Sequence, residues 1–214
     1  MLKNFSKTVL EIFGEKKIIQ FSPPRTGSTL VFNVLREIFP KRRIDKSHNY
    51  EPKFEKYPVV VTYRHPLDAM ASSIQRYGRT PTDEEIEKQI KEFEENSLWD
   101  ILSIRHHSNV LMLKYEEFYE DYDYIFDHLE RFFGMTISAE KRRDITGKYN
   151  IEAVDKQVRE YGDFQTYDTV TQLHGRHISA YKGGVNYYQD FFSPAQIDYL
   201  KKVYAKLLVE FGYD

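Results

Sequence analysis

The chain has 214 residues, 41% of them hydrophobic and 30% charged, the size and balance of one globular domain with a sizeable core. A formal net charge of -2 excludes a global field that would draw nucleic acid or an anionic membrane, so any anion site must be local. The absence of cysteine excludes disulfides and thiolate metal sites, no stretch reaches the ~18 apolar residues of a membrane span, and the charged start "MLKNFSKTVLEIFGEKK" lacks the apolar run of a signal peptide. A soluble, cytoplasmic protein with no nucleic-acid partner is the expectation.

Phe5, Val9, Ile12 and Phe13 have helical spacing, which predicts a short helix over 4–13. "KIIQF" (17–21) reads as a buried strand, followed by "SPPRTGSTL" and a helix from Thr29 to Phe39 that Pro40 ends. "YPVVVTY" (57–63) is a β-branched run, the best strand in the chain. Pro66 begins a helix that Gly78 ends. Thr82 and Glu85 form a capping box that opens a long helix to about Ile104.

"NVLMLKY" (109–115) reads as a third strand, Glu116 to Phe133 as a helix stopped by Gly134, and Ser138 to about Gly162 as more helix. Residues 163–192 show no period, and such segments in compact domains are functional or disordered. Ser193 caps a last helix whose apolar stripe runs from Ile197 to Phe211. Strands alternating with helices in one domain, 1–214, imply an α/β fold: a parallel β-sheet flanked by helices on both faces. In such sheets ligands sit beyond the carboxyl ends of the strands, here after Phe21, Tyr63 and Tyr115.

After the first strand, Gly27 lets the backbone close around an anion, Thr26, Ser28 and Thr29 add hydroxyls at a helix N-terminus, and Arg25 adds a charge. An ordinary capped helix start with a surface arginine is the plainer reading. After the second strand, Arg64 stands at the tip and Ser72 lies two turns into the next helix. The pair makes either a second anion site or leaves Arg64 to pair with Asp68. Between the two, in "RRIDKSHNY" (42–50), Lys46 and His48 alternate as on an extended segment and point the same way. A histidine beside a cationic loop is a candidate general base. "RHHSN" (105–109) carries adjacent histidines that point apart, and no His/Asp/Glu cluster has metal-site spacing.

These motifs, in this order, resemble the sulfotransferase family that uses 3′-phosphoadenosine 5′-phosphosulfate (PAPS). "SPPRTGSTL" is similar to its 5′-phosphosulfate loop, "YRHPLDAMASS" to its 3′-phosphate motif and "KSH" to its Lys-Thr-His segment. "LMLKYEEFYED" and "HISAYKGGVNYYQDFF" are similar to its later strand and its C-terminal Lys-Gly segment. The resemblance implies a P-loop NTPase-like three-layer sandwich and sulfuryl transfer to a hydroxyl or amine by in-line displacement, with PAPS as donor co-substrate and no metal. It implies that His48 is the base with Lys46 beside it and that Arg25 stabilises the bridging oxygen. Thr26, Gly27, Ser28 and Thr29 would cradle the 5′-phosphate. Arg64, Ser72, Lys182 and Gly183 would hold the 3′-phosphate, and Tyr115 would lie near the adenine. The acceptor is a small molecule, carbohydrate or lipid.

Two departures stand out: Leu30 replaces a tryptophan common in cytosolic members, and Tyr181 replaces an arginine before Lys-Gly. They leave a non-catalytic nucleotide-binding member open. A P-loop kinase is the other alternative, although no Gly-Lys-Ser/Thr follows the first strand.

Overall fold

A computed structural model describes residues 17–163 and 165–213. The helix expected over 4–13 lies outside them. Four short strands, β1 Lys17–Phe21, β2 Arg43–Ser47, β3 Val59–Tyr63 and β4 Val110–Lys114, form one all-parallel sheet in the order β2-β1-β3-β4. Three of these are the expected strands. The fourth, β2, is the extended segment that carries Lys46, and it pairs along its whole length with β1, Phe21 opposite Ser47. Its sequence, RIDKS, carries the charges of a partly exposed edge strand and no apolar run, so sequence alone marks it only as a short extended stretch.

The two faces of the sheet show the strand period of two. Ile18, Val60 and Leu113 pack with α1 (Ser28–Ile38), α5 (Tyr115–Phe118), α6 (Tyr122–Phe133) and α7 (Ala139–Tyr149) in one core. Ile19, Phe21, Val59 and Val61 pack in the other, with α2 (Pro66–Arg76), α3 (Asp83–Glu95) and α4 (Asp100–Ile104). The same core takes α9 (Tyr188–Phe191), α10 (Pro194–Val203) and α11 (Ala205–Glu210). Helices on both faces make the expected three-layer α/β architecture. A small third cluster joins Val154 and Val158 of α8 (Ile151–Val158) to Leu173.

Several helices are shorter than their periodicity implies. The helix from Thr82 stops at Glu95 instead of running to Ile104. Ser97 takes a left-handed φ of 57°, and the amides of Leu98 and Ser97 bond back to Phe93 O and Glu94 O. This is a Schellman stop without a glycine, so no glycine signals it in the sequence. Asp121 caps α6 and splits the helix expected over 116–133. Asn150 ends α7 and caps α8, accepting from Ala153 N. Ser193 and Gln196 form the expected capping box on α10.

The strand order fixes where a ligand can enter. The chain leaves β1 through α1 to β2 on one side, and crosses back to β3 on the other. The connections therefore diverge at the carboxyl end of β1, the topological switch point where parallel α/β sheets open a crevice. "SPPRTGSTL" sits at that point.

Candidate functional site

A cavity of about 580 Å³ opens beyond the strand ends. Its floor is the β1–α1 loop. Gly27 precedes α1 at φ 81°, and a Cβ there would lie 2.8 Å from the Phe118 ring. Glycine is therefore required twice, for the left-handed turn and for the close approach of α5. The amides of Ser28 and Thr29 open α1 and have no intrahelical acceptor, so the helix presents its partial positive end to the cavity. Thr26 faces the other way. Its hydroxyl is buried, donates to Pro23 O at 2.9 Å and meets Thr62 Oγ1 at 2.8 Å. Thr26 thus holds the loop to β3 and is not among the residues that line the cavity.

Among the described residues, four cations border the cavity, Arg25, Lys46, Arg64 and Arg76, and none of those that line it is Asp or Glu. Arg25 also has a left-handed backbone, φ 64°, and its Nε donates to Ser72 Oγ at 3.1 Å. Crowding at the cavity floor lowers its pKa to about 9, first through burial and then through Arg76 and Arg64. Its surface remains half-exposed because one side opens on the cavity. Lys46 Nζ donates to Thr29 Oγ1 at 2.6 Å, and burial, Arg76 and Arg25 bring its pKa down to about 8. Fixed cations that depress one another in a site without carboxylates are a receptor for a polyanion.

Arg64 leaves the tip of β3 and lies 4.3 Å over the Tyr115 ring. It donates to Gly183 O (3.1 Å) and Gly184 O (2.7 Å), and is not bonded to Asp68. Asp68 instead accepts from the amides of Asn186 and Tyr188 at 2.7 and 2.9 Å. Tyr115 donates its hydroxyl to Gly183 O at 2.8 Å. Gly183 has φ 78°, and a Cβ there would stand 2.4 Å from the Tyr115 oxygen. Lys182 is exposed, and its side chain lines a separate shallow depression with Lys156 and Arg159. Its carbonyl accepts from Tyr119 Oη at 3.2 Å.

His48 follows β2 and faces the same cavity as Lys46. Its Nδ1 lies 2.7 Å from Ser22 O, an acceptor only, so Nδ1 carries the proton and Nε2 keeps a lone pair. Burial, then Lys46, lowers the pKa to about 4, so the ring is neutral near pH 7. Leu30, Phe118, Tyr119, Tyr122 and Tyr149 give the cavity an apolar, aromatic part of its lining. Leu30 packs there in the core with Tyr119 and Tyr122.

The structure therefore brings Arg25, Gly27, Ser28, Thr29, Lys46, His48, Arg64, Ser72, Tyr115 and Gly183 to one cavity, while the Thr26 and Lys182 side chains point elsewhere. Sequence reasoning missed Arg76, His174 and His177, which also line it. Arg76 lies one helical turn beyond Ser72 on the same face of α2, and that spacing was a usable signal. The two histidines lie in the aperiodic segment and reach the site only through its fold-back. Among the described residues no cluster of His, Cys, Asp and Glu has the form of a metal site, and no helix is long and apolar enough to cross a membrane.

A sulfotransferase domain model matches residues 40–212. No curated protein sequence matches the chain. Among solved structures, mouse sulfotransferase SULT7A1 complexed with PAP superposes at TM-score 0.69 and 18% identity, over 95% of this chain and 89% of that one. Retinol dehydratase in complex with androsterone and inactive cofactor PAP superposes at TM-score 0.64 and 13% identity, over 90% and 80%. These likenesses establish a shared fold, and the domain match extends over most of the sequence. The chain belongs to the sulfotransferase domain family, and its reaction is the transfer of a sulfuryl group.

Proposed function

We propose that the protein moves a sulfuryl group from PAPS to a hydroxyl or amine of a small-molecule, carbohydrate or lipid acceptor, with His48 as general base. One observation carries the reading: among the described residues, a cluster of cations without a carboxylate converges on the N-terminus of α1, and a neutral histidine whose Nε2 keeps its lone pair faces the same space. That arrangement suits a nucleotide with two phosphates and a nucleophile that must lose a proton.

The 5′-phosphosulfate lies on the amides of Gly27, Ser28 and Thr29, with Arg25 and Lys46 beside it. The 3′-phosphate takes the side of the cavity bordered by Arg64, Ser72 and Gly183. Adenine goes to the aromatic part of the lining, where Tyr115 and Phe118 stand and Leu30 contributes an aliphatic surface. His48 Nε2 removes the acceptor proton, and the acceptor oxygen or nitrogen attacks sulfur. The bond to the bridging oxygen breaks, and adenosine 3′,5′-bisphosphate (PAP) leaves. Arg25 and Lys46 meet the charge that grows on the bridging oxygen, a preorganised electrostatic role. The negative donor also offsets the cations that hold His48 low, which raises its basicity when donor is present. A reducing, cytoplasmic setting fits a chain without cysteine.

The test is PAPS-dependent release of PAP with a panel of phenols, sterols and sugars. The account expects turnover with at least one acceptor and its near-complete loss in His48→Ala. Full turnover by His48→Ala would remove the base assignment.

A further inference from the structure

The donor reading gives no task to a carboxylate that stands behind the cavity. β3 pairs with β4 as far as Tyr63 opposite Lys114. The next residue on each strand, Arg64 and Tyr115, lines the cavity, and the guanidinium lies 4.3 Å over the ring. One residue further the ladder has ended, because Tyr115 opens α5. There the amide of the buried His65 donates to Glu116 Oε1 at 2.8 Å, so a side chain stands in for the backbone acceptor of a ladder. The other oxygen, Oε2, accepts from Tyr213 Oη at 2.8 Å. Burial, then Glu116, pushes the Tyr213 phenol up from its ordinary pKa, so it stays protonated and donates. Tyr213 packs on the same strand tip, its ring 4.9 Å from that of His65 and 6.5 Å from that of Tyr63. His65 in turn stacks at 4.6 Å on Tyr188, whose amide Asp68 holds.

From this we propose that Glu116 is a positioning residue for the donor site: its carboxylate ties the tips of β3 and β4 together and so fixes the Arg64 guanidinium against Tyr115. Glu116 is not among the residues that line the cavity, and it acts through Arg64. The inference rests on the donor reading above, in which Arg64 borders the 3′-phosphate. Arg64 also holds Gly183 O and Gly184 O, so its backbone must stand where one guanidinium reaches the ring, both carbonyls and the phosphate. A bond from an amide to a carboxylate is charge-assisted and short, and here it acts at the point where the sheet no longer holds the chain. Without Glu116 the His65 amide loses its acceptor and the tip relaxes. A phosphate then has to order the arginine it binds, and that ordering costs affinity.

The experiment is calorimetric titration with PAP of the unmodified protein, Glu116→Ala, Glu116→Gln, Arg64→Ala and the Glu116→Ala, Arg64→Ala double variant. Glu116→Ala is expected to weaken PAP by about tenfold, the scale of one buried backbone donor left unsatisfied. Glu116→Gln keeps a carbonyl oxygen for His65 and an amide for the Tyr213 oxygen, so it is expected to recover most of that loss. In the Arg64→Ala background, Glu116→Ala is expected to cost nothing further, the non-additivity of two residues that act through one contact. A purely structural role would weaken PAP alike in both backgrounds. Unchanged PAP affinity in Glu116→Ala, or an equal loss with and without Arg64, would overturn the proposal. Where Glu116→Ala does not fold, Tyr213→Phe carries the same cycle, since it removes one anchor of the carboxylate and leaves the His65 bond. A loss confined to the protein with Arg64 is expected there too, and no loss or an equal one would overturn the proposal. Absence of PAP binding by the unmodified protein, or PAP binding indifferent to Arg64→Ala, would instead bring down the donor reading on which it stands.

Discussion

The cavity has two walls built on different principles. At the sheet ends, each chemical group stands on a regular element or within a few residues of one: Arg25 after β1, Lys46 on β2, Arg64 after β3, Tyr115 after β4. The opposite wall, residues 165–187, has little regular structure beyond an isolated bridge between Tyr167 and His174. It is tied down one side chain at a time. Asn33 and Arg36 of α1 donate to Thr171 O and Val170 O. Asp68 of α2 accepts from Asn186 and Tyr188, and Arg64 donates to Gly183 and Gly184. The first wall inherits its precision from the ladder of the sheet. The second depends on a few side-chain hydrogen bonds, most of them only partly buried, so it is the part whose local opening costs least.

Substitutions should separate the walls. The largest effect belongs to the sheet-end wall. His48→Ala should lower kcat by ~10²–10⁴, the usual worth of a general base. Arg25→Ala should lower it by ~10²–10³, as for loss of a preorganised oxyanion donor. Steady-state PAP release checks both, and either variant within threefold of the parent would contradict its role. Next is Gly27→Ala. Its Cβ would stand 2.8 Å from the Phe118 ring at a left-handed φ of 81°, so PAP affinity and melting temperature should fall together. A variant that keeps both would show that the loop has room to move.

Arg64→Ala reaches both walls, because one guanidinium borders the proposed 3′-phosphate site and holds Gly183 and Gly184. PAP affinity should drop by ~10–100-fold, in line with ~1.5–3 kcal/mol for hydrogen bonds to a charged group. Unchanged PAP affinity would defeat the 3′-phosphate assignment. Asp68→Asn should act on the second wall alone. It weakens the anchors at Asn186 and Tyr188, and amide exchange at 183–188 should quicken while exchange in β1 and β3 stays as it was. Equal protection in both proteins would mean that the segment is held by other contacts.

The smallest effect is a proton count. Lys46 has a pKa of about 8 in the free protein, lowered by burial and by neighbouring cations. A bound polyanion favours the charged form and raises it. From pH 8, where the free amine is about half deprotonated, to pH 9, where it is largely so, the bound one stays protonated, and PAP binding should take up a fraction of a proton. Calorimetry in buffers of different ionisation enthalpy reads this directly. Proton release would reverse the sign and place the anion away from Lys46.

The same contrast explains what the sequence made legible. Gly27, Arg25 and Arg64 were visible because strands and a helix start have local signatures, and the sheet places their ends together. Lys46 and His48 were found as an extended pair, although the strand under Lys46 was not seen as part of the sheet, since an edge strand with charged residues lacks an apolar run. The stop at Ser97 was hidden because serine rarely adopts the conformation that glycine would announce. Thr26 was expected to face the ligand as a hydroxyl donor, yet it bonds inward to Pro23 and Thr62, a direction that composition does not encode. His174 and His177 had no signal at all. Their position is set by tertiary anchors more than a hundred residues away in sequence, such as Asn33 to Thr171.

The central claim is a site for a nucleotide that carries both a 5′- and a 3′-phosphate. Calorimetric titration of PAP without metal, beside 5′-AMP and ATP, tests it most directly. The account predicts low-micromolar binding of PAP (about -8 kcal/mol) that disappears for 5′-AMP. Equal binding of 5′-AMP, or a Mg²⁺-dependent preference for ATP, would contradict it.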